Sequence, residues 1–341
     1  MADASRVLVG LDIGGTKTAV VAGVTHPEGL RITGRRAFPT DPAARSWSTT
    51  LSLICEEVRA ILKDEAPGRS PAAVGVSCGG PLDSRRGLLL SPPNLPGWDR
   101  VPIVEELQKA LGCRTFLQND ANACALAEWR LGAGMGTRNM VFLTFGTGMG
   151  AGLILDGRLY EGTCDLGGEV GHVRLAEGGP EGYGKAGSFE GFCSGGGIAR
   201  LARAGAERWL AAGRAVSFCP DTAALESITS KAVGDAAEAV DPLAQEVLAT
   251  TGRYLGRGLA LLMDILNPQR IVIGSIFIRC RRFLQPSMDA EIAREALPGA
   301  ARACEVVPAK LDDSIGDYAS LSVAVDGLSR RERGDLREEK R

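Results

Sequence analysis

The chain has 341 residues, of which 45% are hydrophobic and 23% are charged, which suffices for two domains with their own cores and excludes extensive disorder. Its net charge of −2 and the lack of a dense basic stretch in the body of the chain argue against nucleic acid as the main partner. No apolar run reaches the roughly 18 residues of a membrane span, and no signal-peptide pattern opens the chain, so we expect a cytoplasmic protein without a membrane partner.

The first predicted element is a hairpin with a glycine-rich turn. An apolar run from Val7 leads into DIGGTK at residues 12–17, and a second apolar run leaves it. The two glycines let the backbone approach a ligand, and the polar side chains and amides beside them can donate to phosphate oxygens. These candidate residues are Gly14, Gly15, Thr16 and Lys17. Asp12 ends the first strand, where its carboxylate is placed to hold hydrated Mg²⁺. A plain turn explains one such hairpin equally well.

A second copy of this layout favours the phosphate-binding interpretation. Residues 142–155, FLTFGTGMGAGLIL, again form an apolar strand, a Gly/Thr turn and an apolar strand. At a constant offset, Gly146, Thr147 and Gly148 match residues 14–16 of the first hairpin. The sequence therefore predicts a duplicated domain with one phosphate hairpin in each half.

Between the hairpins, two loops follow predicted elements in positions suited to a binding site. The apolar strand 72–78 ends in Gly79 and Gly80, which would deliver backbone to the carboxyl edge of a sheet, although a plain turn is the alternative. The Pro-rich loop 88–98 contains Asn94, whose amide could bind a hydroxyl, and Trp98, whose indole could line a wall.

The next candidate lies where a short strand meets a predicted helix over 123–131. Gln118, Asn119 and Asp120 precede that helix, so Asp120 could be its N-cap. A carboxylate fixed by such neighbours could instead accept a proton from a hydroxyl that attacks phosphorus. The sequence alone leaves both interpretations open.

The second half of the chain supplies further polar candidates in glycine-rich surroundings. Glu169 and His172 are three residues apart in DLGGEVGHVRL, so both side chains could face one cavity, although a structural role for the histidine is the alternative. Glu190 lies in the segment 176–197, which is predicted to be irregular. Helices are predicted over 198–210, 228–240, 242–266, 283–296 and 316–328. The buried strand 270–273 ends at Gly274, where a nucleotide could bind.

Together these motifs resemble the ROK family of sugar kinases and sugar-responsive repressors, within the actin, hexokinase and Hsp70-like ATPase superfold. The resemblance implies an α/β protein of two actin-like (ribonuclease H-like) three-layer domains with a cleft between them. We place the N-terminal domain at 1–121, with the helix at 316–328 packed back on it, the C-terminal domain at 122–315 and a charged tail at 330–341. Only about six residues precede the first strand, so we expect no helix-turn-helix domain and no repressor function.

The resemblance also implies roles for the candidate residues. Asp120 would be the general base that takes the proton from the sugar hydroxyl. The sugar would bind to Gly80, Asn94, Asn119, Asp120, Glu169, His172 and Glu190. MgATP would bind to both hairpins and Gly274, with Mg²⁺ near Asp12. The expected enzyme is a homodimeric, glucokinase-like kinase that phosphorylates a hexose at its primary, C6-type hydroxyl. Three alternatives stay open: a C7-cyclitol kinase, a non-catalytic sugar-binding regulator and an ATPase of the same superfold.

The chain departs from the family pattern in two places. The zinc-binding signature CxCGxxGCxE would fall at 181–190, where Glu181, Tyr183 and Ser188 replace its three cysteines. Zinc needs about four good ligands, so we predict no bound zinc and expect packing and hydrogen bonds to hold the loop. At Gly274 the chain continues with Ser275 and Ile276 rather than further glycines, so the donor-binding region could be narrower.

Overall fold

A computed structural model describes residues 5–334 of the chain. The fold divides into two compact units. The first comprises residues up to Gly136, the segment Leu159–Gly167 and the chain from Lys310 onward. The second comprises Thr137–Arg158 and Gly168–Ala309. The predicted boundary at residue 121 therefore falls inside the first unit.

The first unit is built on a mixed sheet. Its strands are β1 (Val7–Ile13), β2 (Lys17–His26), β3 (Gly29–Pro39), β4 (Ala73–Cys78), the short pair β5 (Leu82–Asp83) and β6 (Leu88–Leu89), and β7 (Arg114–Asn119). The main sheet of this unit, within the described residues, has the order β3-β2-β1-β4-β7. β1 pairs antiparallel with β2 and parallel with β4, which in turn pairs parallel with β7. The carboxyl ends of β1, β4 and β7 thus share one edge, which is where ligands bind to parallel sheets.

Helices cover both faces of this sheet. The helices of the N-terminal part are α1 (Trp47–Glu65), α2 (Ile103–Leu111) and α3 (Asp120–Leu131). α1 begins where the Ser46 side chain accepts a hydrogen bond from the Thr49 amide, which satisfies one free amide of the first turn. Its buried face includes Ile54 and Val58, which pack in one core with Leu11 of β1.

The second unit repeats this strand order. Its strands are β8 (Met140–Leu143), β9 (Ala151–Leu155), β10 (Arg158–Tyr160), of which Leu159 and Tyr160 are counted with the first unit, the short pair β11 (Glu181–Gly182) and β12 (Lys185–Ala186), β13 (Arg270–Ile273) and β14 (Glu305–Pro308). Within the described chain, the main sheet has the order β10-β9-β8-β13-β14. β8 pairs antiparallel with β9 and parallel with β13, as β1 does with β2 and β4. The repeated topology confirms the predicted duplication.

Six helices of the described chain belong to the second unit, and one more returns to the first. They are α4 (Phe189–Phe192), α5 (Gly195–Ala211), α6 (Ser230–Glu238), α7 (Pro242–Leu266), α8 (Ile276–Glu295), α9 (Pro298–Ala303) and, in the first unit, α10 (Ile315–Glu332). Glycines of α7 let it pack closely on α8. A Cβ on Gly252 would lie 2.3 Å from the Leu284 carbonyl oxygen, and one on Gly256 would lie 2.4 Å from that of Met288.

The helix α10 packs directly on the first sheet. A Cβ on Gly10 of β1 would lie 2.2 Å from the Ser320 hydroxyl, and one on Gly75 of β4 would lie 2.1 Å from the Ser320 carbonyl oxygen. Leu321 and Leu328 pack there with Leu8 of β1. α10 therefore forms the third layer of the first unit.

Several predicted element bounds were wrong. α3 begins at Asp120 rather than 123, α5 begins at Gly195 inside the segment expected to be irregular, and α8 begins at Ile276 rather than 283. The predicted tail from Arg330 begins inside α10, where the half-buried Arg330 pairs with Glu161. Residues 335–341 of that tail lie outside the described chain. Because helix ends depend on tertiary contacts as well as local signals, they are the least predictable part of an element.

Candidate functional site

In the first unit, the candidate residues begin at the hairpin between β1 and β2. The Gly14 amide donates to the Lys17 carbonyl at 3.1 Å, which closes the turn. Thr40, which directly follows β3, donates its hydroxyl to the Gly14 carbonyl at 2.6 Å. This hydrogen bond ties the turn to the end of β3. Thr16 and Lys17 are exposed at the tip. The arrangement leaves the polar tip accessible to an anion such as a phosphate group.

Two loops predicted to bind substrate lie against this hairpin. A Cβ on Gly15 would lie 2.3 Å from the Asn94 carbonyl oxygen, so only glycine permits this approach. A Cβ on Gly79 would lie 3.5 Å from the Asn94 amide atoms, and Gly80 has open space around it. Asn94 is exposed, whereas Trp98 is buried in the core with 1% of its surface exposed. The expectation that the Trp98 indole lines the site was therefore wrong.

Asp120 occupies the first position of α3, and Asn119 is the N-cap. The Asn119 side chain accepts a hydrogen bond from the Asn122 backbone amide at 2.7 Å. Asn119 is therefore the N-cap of α3, and the alternative prediction that Asp120 is the N-cap was wrong. The Asp120 carboxylate accepts from the Ala121 amide at 2.8 Å. The residue keeps accessible surface, yet desolvation by the surrounding protein raises its pKa, and backbone hydrogen bonds partly offset this. Asp120 is therefore an accessible carboxylate whose proton affinity is increased.

A second carboxylate, Asp12, is electrostatically coupled to Asp120. Burial raises the pKa of Asp12 to about 6, and repulsion from Asp120 and Asp317 adds to the shift, while Lys17 and Arg35 partly oppose it. Asp317 is held by the Arg35 guanidinium at 2.9 and 3.0 Å. Sequence reasoning missed Asp317 because α10 reaches the end of β1 only through the tertiary fold.

The acidic surroundings of Asp12 fit a divalent cation. No three His, Cys, Asp or Glu side chains within residues 5–334 are grouped so that they could hold a metal by themselves. Mg²⁺, however, is held in kinases through one or two carboxylates, waters and the phosphates of the substrate. The repelling carboxylates around Asp12 would be stabilised by such a cation.

In the second unit, Glu190 contacts the second hairpin. Its carboxylate accepts from the Met149 amide at 3.0 Å, and a Cβ on Gly148 would lie 2.9 Å from the same carboxylate oxygen. The Gly146 amide donates to the Gly148 carbonyl at 3.2 Å, and Thr147 is exposed at the tip. Glu190 therefore connects the predicted sugar-binding set with the predicted phosphate loop.

The turn that carries Glu169 and His172 packs on the same hairpin. A Cβ on Gly171 would lie 2.1 Å from the Met149 carbonyl oxygen, and one on Gly168 would lie 2.1 Å from that of Ala151. Glu169 and His172 are both exposed at the ends of this compact turn. The second unit thus gathers Glu169, His172, Glu190 and the hairpin.

Gly274 ends β13 beside the same hairpin, and its amide donates to the Leu143 carbonyl at 3.1 Å. Ser275 follows with φ of 57° and ψ of −113°, a conformation that favours glycine. A Cβ on Gly146 would lie 3.7 Å from the Ser275 hydroxyl. The Gly195 amide at the start of α5 donates to the Gly146 carbonyl at 2.8 Å. The run Ser194-Gly195-Gly196-Gly197 was missed, although glycines after a capping serine could have signalled it.

The positions of the missing zinc cysteines do not fit a zinc ion. The Ser188 hydroxyl donates to the Gly182 carbonyl at 3.4 Å and accepts from the Gly191 amide at 3.1 Å, so it caps α4. His172 and Tyr183 meet edge to face with ring centroids 6.3 Å apart, and Lys185 donates to the His172 carbonyl at 2.8 Å. The donor set has one imidazole and no thiolate. The buried Phe192 ring stacks on Tyr254, which agrees with a loop held by packing.

Comparisons with known proteins agree on one family. A family profile described as ROK family matches residues 8–324. A glucokinase from Thermotoga maritima is 28% identical over 317 residues, which cover 93% of this chain and 96% of that protein. The structure of a ROK family glucokinase from Streptomyces griseus in complex with glucose and AMPPNP has a TM-score of 0.69 and 28% identity and covers 94% of this chain and all (100%) of that one. A ROK family transcriptional regulator has a TM-score of 0.79 and 25% identity over 94% of this chain and 79% of that one.

Proposed function

Since the chain belongs to the ROK family and is a sugar kinase, we propose that it transfers the γ-phosphoryl group of ATP to the primary, C6-type hydroxyl of a hexose such as glucose. The observation that carries the proposal is Asp120, an accessible carboxylate with a raised pKa at the start of α3, beside the hairpin that holds Asp12. A base of this kind accepts a proton best near neutral pH.

In the proposed reaction, the acceptor hydroxyl attacks the γ-phosphorus as its proton passes to Asp120, and ADP leaves. The hydroxyls of the sugar would be bound by Gly80, Asn94, Asn119, Glu169, His172 and Glu190. The donor phosphates would bind at the two hairpins, with Gly274 near the nucleotide. Mg²⁺ near Asp12 would neutralise charge on the transferred group.

Two alternatives are distinguished by what the protein does with ATP. Similarity to the ROK family transcriptional regulator favours a non-catalytic sugar-binding regulator as the second candidate. Such a protein would be stabilised by sugar without turnover. A C7-cyclitol kinase would release ADP with cyclitols but not hexoses. The homodimer stays a prediction.

The decisive experiment measures ADP release from MgATP with a panel of hexoses, N-acetylhexosamines and cyclitols. Asp120→Asn should lower acceptor-dependent release by at least about 10²-fold, because it removes the general base. The matched control is Asp235→Asn, which changes an exposed helical carboxylate in α6 and should leave the rate unchanged. Because desolvation raises the pKa of Asp120 and that of Asp12 is about 6 in the ligand-free protein, kcat/KM should fall as pH drops below about 6. Sugar binding without any ADP release would instead support the regulator.

A further inference from the structure

A buried polar network lies behind the turn that carries Asp120. Its members are Glu161, Gln118 and Asn122, which are respectively 7%, 5% and 0% exposed. All three belong to the first unit, where Glu161 lies in the segment Leu159–Gly167. Burying a polar group without a hydrogen bond destabilises the folded state, so the side chains of this network have to be held where they can hydrogen-bond to one another.

The network begins with a paired charge. The two terminal guanidinium nitrogens of Arg330 on α10, Nη1 and Nη2, donate to the two carboxylate oxygens of Glu161, at 2.5 and 2.9 Å. Such fork-to-fork pairs fix orientation as well as position. Glu161 is therefore a rigid, charged acceptor inside the first unit.

The same carboxylate fixes the amide of Gln118 at the end of β7. The Gln118 side-chain amide donates to Glu161, and its carbonyl oxygen accepts from the Asn122 side-chain amide at 3.1 Å. Because a carboxylate only accepts, Gln118 has one orientation that satisfies both neighbours. The hydrogen bonds therefore run in one direction, from Asn122 to Gln118 to Glu161.

Asp120 lies between the two residues that this chain of hydrogen bonds holds. Gln118 is two positions before it, and Asn122 is two positions after it. The Asn122 backbone amide also donates to the Asn119 side chain at 2.7 Å. The β7–α3 turn is thus fixed on both sides of Asp120.

From this geometry we infer that Glu161 is a positioning residue for Asp120, acting through Gln118 and Asn122. The inference rests on the proposed function, because it assigns a role in placing the proposed base. Misplacing a reacting group by about 1 Å can cost up to about 10²-fold in rate. Loss of the Glu161 charge should therefore lower kcat and leave substrate affinity nearly unchanged.

The test compares two variants of the full chain. Glu161→Gln removes the charge that anchors the network, and Gln118→Met breaks it without leaving a charge unpaired. Each should lower kcat about 10-fold or more and change KM for sugar and ATP less than about 3-fold. If Glu161→Gln fails to fold because Arg330 loses its ion pair with Glu161, Gln118→Met still gives the answer.

A matched control separates positioning from general stability. Glu291→Gln removes another buried carboxylate, one that pairs with Arg257 and Arg294 in the second unit. It should lower the thermal midpoint by a similar amount while kcat per folded molecule stays unchanged.

A double-mutant cycle gives the decisive readout. In the Asp120→Asn background, Glu161→Gln should reduce the residual kcat by less than about 2-fold, since its effect acts through Asp120. Additive losses would overturn the positioning role, as would an unchanged kcat in both single variants. If Asp120→Asn alone leaves kcat unchanged, the proposed base itself is wrong, and the two failures are therefore distinguishable.

Discussion

The Asp12 carboxylate lies in surroundings that make its negative charge unfavourable. Burial and the nearby Asp120 and Asp317 raise its pKa to about 6, so the folded protein binds a proton there more tightly than the unfolded chain does. The stability of the metal-free protein should therefore fall as pH rises from about 4 to 6, by about 3 kcal/mol in total. A bound cation would stabilise the Asp12 charge, so a cation site can tolerate this loss of stability in the metal-free protein.

Asp12→Asn should accordingly stabilise the protein above pH 6 without Mg²⁺ and abolish kinase activity. The neutral amide avoids the cost of burying a charge and the repulsion from Asp120 and Asp317, so the gain should be about 3 kcal/mol at pH 8. The gain should vanish below pH 4, where Asp12 itself is protonated and neutral. Thermal denaturation across pH 4–8 measures it. Asp156→Asn, at an exposed ion pair with Arg138, should show no such pH dependence. A variant less stable than the parent at pH 8 would contradict this interpretation.

At the scale of elements, the contact between α10 and the first sheet depends on glycines. A Cβ on Gly75 would lie 2.1 Å from the Ser320 carbonyl oxygen and 2.5 Å from the Ala324 amide. Both atoms are helix backbone, which cannot rotate away as a side chain can. The helix would have to move off the sheet as a whole.

Gly75→Ala should therefore destabilise the protein by about 3 kcal/mol, the upper range for overpacking a core. Urea denaturation measures this change. Gly299→Ala in α9 is the matched control, because a Cβ there meets no atom within 4 Å. It should be neutral or stabilise by up to about 1 kcal/mol. Equal effects of the two substitutions would show that the α10 contact does not limit the space at Gly75.

At the scale of the whole molecule, the two units repeat one sheet topology and differ in their loops. The second unit carries the turn 170–172 and the β11–β12 loop, which is held by the Ser188 cap and by Lys185. The nine cysteines of the whole chain are free thiols, mostly buried or half-buried. Within the described chain, no helix is long and apolar enough to cross a membrane.

We expect the purified protein to hold no structural zinc. Dialysis against a chelator, followed by return of Mg²⁺, should leave the thermal midpoint and the kinase activity unchanged, because the loop is held by hydrogen bonds and packing. Elemental analysis should find well below one zinc per chain. Ser188→Ala serves as the positive control and should destabilise by about 1 kcal/mol through loss of the α4 cap. Stoichiometric zinc whose removal lowers the midpoint would contradict the prediction.

The sequence by itself determined the elements whose signals are local. Both hairpins are set by apolar runs around glycine turns, and α7 occupies its predicted residues because Asp241 caps it, Pro242 fits its first turn and Asn267 ends it in a left-handed conformation. The duplication was readable because each half repeats the same short pattern of strands and turns.

The tertiary structure alone decided which residues surround those elements. Arg330 reaches Glu161 across 169 residues, and Asp317 approaches Asp12 only because α10 returns to the first sheet. The start of α3 at Asp120 depends on the Asn119 cap, whereas the local sequence offered only Asp120 as a possible cap. Patterns of hydrophobicity and capping act within a few residues, whereas burial, charge coupling and buried hydrogen bonds arise between segments that the chain brings together only on folding.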